Sequence, residues 1–152
     1  MRSRGLNSGS TTCEGYWEAG GLSKSHTMNN RGRGLCVMVI NSNGDKIIDQ
    51  SYDTHSNDYY FRVMLGNLNN GDHLLIAAYD SASSALSGDA RNFLAGMGAD
   101  QIHSICYRCG YIFGGIKGRT DGRDDLTDSY NTVENNYYYG VDSMRVYPTS
   151  LS

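Results

Sequence analysis

Two unbroken apolar segments, each as long as a typical β-strand, constrain the fold of this chain most strongly. They are residues 35–40 (LCVMVI) and residues 73–79 (HLLIAAY). Strands with one solvent-exposed face alternate apolar and polar residues, whereas strands buried on both faces have continuous apolar sequences. The sequence therefore predicts two fully buried strands within a β-rich domain.

The first buried strand opens a predicted β-hairpin. Residues 41–45 (NSNGD) are rich in the residue types that favour tight turns, and residues 46–52 (KIIDQSY) supply a returning strand. Residues 35–52 are therefore predicted to form two antiparallel strands.

Two amphipathic helices are predicted, one before and one after the second buried strand. The first follows the capping residues 56–58 (SND) and carries five apolar side chains on one face: Tyr60, Phe61, Met64, Leu65 and Leu68. The second begins at residues 87–89 (SGD) and ends near Gly98.

The remaining segments complete one predicted domain that spans residues 1–152, with its core in residues 30–118. Its other predicted parts are an irregular arm with one or two strands (1–29), two closely joined strands (102–105 and 107–116), a long exposed loop (119–136) and a C-terminal strand segment (137–152) with its strand at 141–147. The loop is predicted because its residues are polar and rich in Asp.

Charge and hydropathy argue against two classes of partner. The net charge is -3 and the 13 Lys and Arg residues are scattered, so no concentrated positive field forms to attract nucleic acid. No run reaches the roughly 18 apolar residues that a membrane helix needs. Residues 1–4 (MRSR) lead into polar sequence and not into the apolar core of a signal peptide. We expect no nucleic-acid partner, no membrane insertion and no signal peptide in this chain.

The composition favours a surface that binds neutral polar partners. The chain holds 19 Gly and 12 Tyr, and only 19% of its residues are charged. Tyr combines a flat ring with a hydroxyl, which suits sugars and extracellular receptors. Tyr is also enriched in strands, so the same composition is compatible with rings that only fill a sheet.

No pattern typical of an enzyme or a metal site occurs. The motifs of serine hydrolases, phosphate-binding loops, zinc proteases and dinucleotide-binding folds do not follow any predicted strand. The four His residues are spread widely, and the four Asp residues of 121–128 do not have calcium-loop spacing. We expect no catalysis, no cofactor and no metal ion.

The four cysteines, Cys13, Cys36, Cys106 and Cys109, allow three pairings, and the sequence leaves the choice open. Cys106 and Cys109 have C-x-x-C spacing, but they lie in a segment predicted as strand. Side chains three apart on a strand point to opposite faces, which argues against a shared metal or disulfide.

Several short motifs follow one another in a fixed order. They are residues 32–34 (GRG) before the first buried strand, 51–54 (SYDT) at the end of the hairpin, 78–82 (AYDSA) after the second buried strand, 89–91 (DAR) in the second helix, and 107–118 (YRCGYIFGGIKG). Together they resemble the interleukin-like EMT inducer (PANDER-like) family over about residues 30–118.

This resemblance implies a β-rich α+β fold, in which two antiparallel sheets pack as a sandwich with two or three short flanking helices. Family members are secreted cytokine-like proteins or modules of carbohydrate-active proteins. In one branch, the stem domain of protein O-mannose N-acetylglucosaminyltransferase, an Arg, an Asp and a second Arg bind a terminal N-acetylglucosamine. The positions that match them here are Arg33, Asp80 and Arg108, and Tyr111 stands where the family has Trp.

The chemistry of these residues is consistent with a ligand site. Asp80 ends one apolar strand and Arg108 interrupts another, so each charge needs a partner if it is buried. A carboxylate accepts from sugar hydroxyls, a guanidinium donates in a fixed fork, and an aromatic ring packs on a sugar face. The alternative is an ion pair that only holds the ends of the strands together. After Arg108 the sequence differs from the family pattern, because Cys109 and Gly110 stand where the family has an Asp and the residue that follows it.

We therefore hypothesise a carbohydrate- or receptor-binding, lectin-like module centred on Arg33, Asp80, Arg108 and Tyr111. It would be extracellular or on a virion surface, for example at the tip of a viral or phage fibre, and part of a larger assembly. The alternative is a secreted cytokine-like signal that binds a protein receptor. A third possibility is a structural spacer.

Overall fold

The computed structural model of the protein describes residues 2–4, 12–19, 23–128, 132–134, 137–138 and 144–147. The strands are β1 (Arg2–Arg4), β2 (Thr12–Glu14), β3 (Tyr16–Ala19), β4 (Lys24–Thr27), β5 (Gly34–Ile40), β6 (Lys46–Tyr52), β7 (His73–Tyr79), β8 (Gly110–Ile116), β9 (Arg123–Thr127), β10 (Thr132–Glu134), β11 (Tyr137–Tyr138) and β12 (Met144–Tyr147). The helices are α1 (Tyr59–Gly66), α2 (Gly88–Gly96) and a single 3-10 turn (Ile102–Ser104).

The strands form two sheets. The larger has the order β10-β1-β7-β5-β6. Strand β8 also pairs with β7, on the side opposite β5, and β9 lies beyond β8, while β2 lies beside β1. Its pairs are antiparallel except for one parallel pairing, of Arg4 with Tyr79. The smaller sheet has the order β11-β12-β3-β4 and its pairs are antiparallel. The predicted sandwich with short helices is confirmed.

Both faces of the central strands are covered, which explains their continuous apolar sequence. Leu35 and Val37 of β5 face a core shared with the two α-helices, whereas Cys36 and Met38 face a second core shared with Trp17 of the small sheet. Alternate side chains of a strand point to opposite faces, so each central strand needs apolar residues at every position.

The predicted hairpin and the positions of both helices are confirmed. The predicted apolar face of α1 is correct for Phe61, Met64 and Leu65, whereas Tyr60 is 69% exposed, Leu68 lies beyond the helix, and the N-cap Asp58 makes no side-chain capping hydrogen bond. In the hairpin, Leu35 of β5 pairs with Tyr52 of β6. Helix α2 is capped by the Ser87 hydroxyl, which accepts a hydrogen bond from the amide of Ala90 at 3.2 Å. Gly98 ends this segment with a φ of 108°, a conformation that favours glycine.

Of the two strands predicted at 102–105 and 107–116, the second is confirmed over residues 110–116 as β8, whereas the first and residues 107–109 are not strand. Ile102 and Ile105 are buried while the two residues between them are exposed, which is the spacing of a 3-10 turn and not of a strand. A second turn follows, closed by a hydrogen bond from the Cys109 amide to the Cys106 carbonyl at 3.1 Å. This turn brings the two Cα atoms to 5.2 Å, and the cysteines form a disulfide that strand geometry would disfavour.

The prediction of a continuous loop over residues 119–136 is also wrong, because β9 and β10 lie within it. The polar strand β9 pairs with β8, and its Asp124 is buried. The carboxylate of Asp124 accepts hydrogen bonds from the Tyr111 hydroxyl at 2.7 Å and the Gln101 amide at 2.9 Å. Burial raises the pKa of Asp124 above its usual range.

The two ends of the chain contribute to the sheets. Among the described residues of the segment predicted as an arm with one or two strands, four strands occur, β1 to β4. A disulfide between Cys13 and Cys36 joins β2 to β5. Strand β12 lies inside the predicted final strand, whose residues 141–143 fall outside the described residues.

Candidate functional site

Three of the four predicted site residues converge at one end of the large sheet. Gly34 pairs with Tyr79, so Arg33 and Asp80 each stand one residue beyond a paired position on neighbouring strands. Strand β8 lies on the other side of β7, and Arg108 precedes it by two residues. The two arginines therefore approach Asp80 from the strands on either side of β7.

Asp80 and Arg108 form an ion pair, with 3.6 Å between the Arg108 Nε and the Asp80 Oδ1. Their side chains are 23% and 32% exposed, so the pair lies at the surface but is partly covered. Both residues have a positive φ, 60° for Asp80 and 59° for Arg108. Non-glycine residues rarely adopt this conformation, and such positions are concentrated at functional sites.

Arg33 is held by a second carboxylate. Its Nε and one terminal nitrogen donate to the two oxygens of Asp53 at 2.9 and 2.7 Å, and the same nitrogen donates to the Ser56 hydroxyl at 3.0 Å. The hydrogen bonds to Asp53 raise the pKa of Arg33, with a smaller contribution from the charge of Asp80. Reciprocally, hydrogen bonding from Arg33 lowers the pKa of Asp53. Asp80 therefore lies within electrostatic reach of both guanidinium groups.

An exposed aromatic ring completes the cluster. The guanidinium carbon of Arg108 lies 4.9 Å from the centroid of the Tyr107 ring, and Tyr107 is 55% exposed. We call Arg33, Asp53, Asp80, Tyr107 and Arg108 the charged rim. Sequence reasoning did not assign Asp53 and Tyr107 to the site, although both lie in the motifs that carry the family resemblance.

Tyr111 does not lie at the charged rim. It is fully buried in the core that faces the helices, and its hydroxyl donates to Asp124. Its backbone amide donates to the Ser3 hydroxyl at 3.0 Å. A ring in this position presents no face to a ligand, so Tyr107 is the aromatic side chain that the rim offers instead.

The charged rim suits polar recognition. Each carboxylate lies beside a guanidinium, so a ligand with both donors and acceptors can compete for these pairs in a fixed geometry. Among the described residues, no three His, Cys, Asp or Glu side chains are gathered so that they could hold a metal ion. Across the same part of the chain, none of the helices combines the length and apolarity needed to cross a membrane.

Comparison with known proteins confirms the family resemblance. The family model described as interleukin-like EMT inducer matches residues 33–119, which is more than half of the chain. Protein FAM3C of Rattus norvegicus is 33% identical over 96 residues, which are 62% of this chain and 42% of that protein. Protein FAM3C of Homo sapiens is 30% identical over the same extents.

A third relative is aligned over a longer stretch. Protein FAM3C of Danio rerio is 26% identical over 118 residues, which are 76% of this chain and 52% of that protein. The chain therefore spans about half or less of the length of these relatives. The matched segment contains all five residues of the charged rim.

Proposed function

We propose, because this chain belongs to the interleukin-like EMT inducer family, that it acts as a secreted, cytokine-like binding module without catalytic activity. In this proposal the module recognises a receptor on the surface of cells, and the charged rim is its contact surface. The location of the rim within the family-matched segment supports this assignment.

The observation that carries the proposal is the backbone conformation of Asp80 and Arg108. A surface ion pair contributes about 0–1 kcal/mol to stability. Holding a non-glycine residue in the left-handed region costs about 1–2 kcal/mol, although Asp tolerates it better than Arg. The backbone strain of these two residues therefore equals or exceeds the stability that their ion pair contributes. This balance favours a role in binding over a purely structural one.

The cysteine pairing supports an extracellular location. Both pairs, Cys13 with Cys36 and Cys106 with Cys109, are disulfide-bonded. Disulfides persist in secreted and extracellular proteins and are rare in the reducing cytosol. The vertebrate FAM3C relatives give no support to the hypothesis of a viral or phage fibre tip.

A glycan is a second candidate for the group that contacts the rim. Asp80 lies near two guanidinium groups, and the exposed ring of Tyr107 stands beside Arg108. This combination of charges and one ring is suited to sugar hydroxyls and a sugar face. A glycan array probed with the purified domain and with Asp80→Ala tests this candidate, and an array without signal rejects it.

Binding of the fluorescently labelled domain to cultured vertebrate cells tests the proposed function. We expect saturable binding that unlabelled domain displaces. Mild trypsin treatment of the cells should abolish binding to a protein receptor, whereas glycosidase treatment should abolish it only if a glycan is the contact. Absence of saturable binding across a panel of cell types would contradict the proposal.

A further inference from the structure

The disulfide between Cys106 and Cys109 closes the turn that carries Tyr107 and Arg108 of the charged rim, and it differs sharply from the other disulfide of the chain. It joins residues only 3 apart in a turn, whereas Cys13 and Cys36 are 23 apart. A shorter loop removes less conformational entropy from the unfolded chain when it is closed. The turn disulfide therefore contributes the smaller part of the stabilisation that the two disulfides provide.

The two cysteines of this turn differ in exposure. Cys106 is exposed, whereas Cys109 is only 2% exposed. Both cysteines of the other disulfide are buried, with Cys13 at 2% and Cys36 at 0%. A thiolate has to reach a disulfide sulfur in order to exchange with it, so access favours Cys106 over the three other cysteines.

The sequence between the cysteines adds a positive charge. Arg108 lies within the same four-residue turn, and its guanidinium is held over the Tyr107 ring at the surface. A neighbouring cation stabilises the thiolate form of a cysteine, and thiolates are both the attacking and the leaving groups in disulfide exchange. Because Asp80 pairs with this guanidinium and balances its charge, loop length and exposure are the two features that distinguish Cys106–Cys109 from Cys13–Cys36.

We propose that Cys106–Cys109 is an exchangeable disulfide whose substrates are thiols, either small molecules or protein thiols. In the first step an external thiolate attacks the Cys106 sulfur. A bond forms between these two sulfurs, the bond between Cys106 and Cys109 breaks, and Cys109 leaves as a thiolate that takes up a proton.

A second thiol completes the reaction. It attacks the sulfur of the first thiol in the mixed disulfide and releases Cys106 as a thiolate, which is protonated. The two external thiols are oxidised to a disulfide and the turn disulfide is reduced to two thiols, so two electrons are transferred. This proposal is independent of whether the charged rim binds a receptor.

Differential alkylation followed by mass spectrometry tests the proposal on the folded protein. The protein is incubated with glutathione or, in a separate arm, with reduced thioredoxin as a protein dithiol, and samples are quenched over time. We expect Cys106–Cys109 to open at least about tenfold faster than Cys13–Cys36, which serves as the control within the same molecule. Equal rates for the two disulfides would overturn the proposal. Faster opening by one reagent identifies the class of thiol.

Two variants, each with one cysteine of the turn replaced by serine, test which sulfur is attacked. Cys109→Ser leaves Cys106, and we expect it to form a mixed disulfide with oxidised glutathione at least about tenfold faster than Cys106→Ser, which leaves Cys109. The reverse order would contradict the assigned roles. Fluorescence of Trp17 verifies that each variant is folded, and the rate comparison in the unaltered protein stands if one variant does not fold.

Discussion

Replacing Gly34 with alanine is expected to lower the free energy of unfolding by roughly 3–5 kcal/mol. Gly34 has a φ of 110°, where a side chain is strained whatever the space around it. A Cβ atom on Gly34 would also meet the Tyr52 carbonyl oxygen and approach the Thr54 amide nitrogen to 2.7 Å. These atoms belong to backbone that cannot move without disturbing the pairing of β5 with β6.

Urea denaturation of the two proteins measures this effect. Gly66→Ala is the matched control, because Gly66 has no atom within 4 Å of an added Cβ and ends helix α1. Alanine is the better helix former, so this control should be unchanged or stabilised by up to about 1 kcal/mol. A Gly34→Ala protein as stable as the control would show that the chain does not need this close approach.

Acidification is expected to destabilise the protein through His73. This side chain is buried between the sheets, and its Nδ1 accepts a hydrogen bond from the Trp17 indole at 3.2 Å. Burial, with a contribution from the charge of Arg119, lowers the pKa of His73 to about 4. In the unfolded chain the pKa of a histidine is about 6.5.

The direction of the effect follows from these two pKa values. Between about pH 6.5 and pH 4 the unfolded chain takes up a proton at residue 73 that the folded protein excludes. The stability that His73 contributes is complete above pH 6.5 and is lost as the pH falls towards 4. The loss over the whole window is about 3 kcal/mol, since one pKa unit corresponds to about 1.4 kcal/mol.

The variant His73→Asn separates this contribution from that of the carboxylates. An asparagine amide oxygen can accept the Trp17 hydrogen bond but does not titrate. Urea unfolding curves at pH 7.5 and pH 4.5, followed by the fluorescence of Trp17, the single tryptophan, should show the larger loss in the unaltered protein. Equal losses in both proteins would mean that His73 is not the group responsible.

Sequence reasoning predicted those parts of the fold in which local and tertiary preferences agree. The buried strands β5 and β7 were predictable because two layers cover them, and this requires apolar residues at every position. The β5–β6 turn carries its own turn chemistry in residues 41–45. Helix α2 has a capping serine, Ser87, that is visible in the sequence.

The errors arose where distant partners override local pattern. Strand β9 is polar, and its buried Asp124 is tolerated only because Tyr111 and Gln101 donate hydrogen bonds to it from elsewhere in the chain. The hydrogen bond from the Tyr111 hydroxyl to Asp124 also gives the polar end of this buried ring a partner inside the core. No local pattern in the sequence predicts such a pairing across 13 residues.

The candidate site was predictable in part for a geometric reason. Arg33 and Asp80 flank the ends of two strands that pair in register, so a correct strand pairing brings them together. The role of Asp53 depends on the bend that follows β6, and that of Tyr107 on the turn closed by the two cysteines. Both depend on loop conformation, which strand patterns do not describe.

The variant Asp80→Asn tests the central claim, that the charged rim binds a receptor, most directly. Asparagine tolerates the left-handed backbone of this position as aspartate does, so the change removes the charge alone. Asp45→Asn is the matched control, because Asp45 pairs with Lys24 at 2.9 Å in the turn at the far end of β5.

Cell binding and the free energy of unfolding should be measured on both variants. We predict that Asp80→Asn weakens binding about tenfold or more while changing the free energy of unfolding by no more than about 1 kcal/mol. Asp45→Asn should alter neither quantity. Unchanged binding by a folded Asp80→Asn protein would contradict the account. It would indicate that the Asp80–Arg108 ion pair only holds the ends of the strands together.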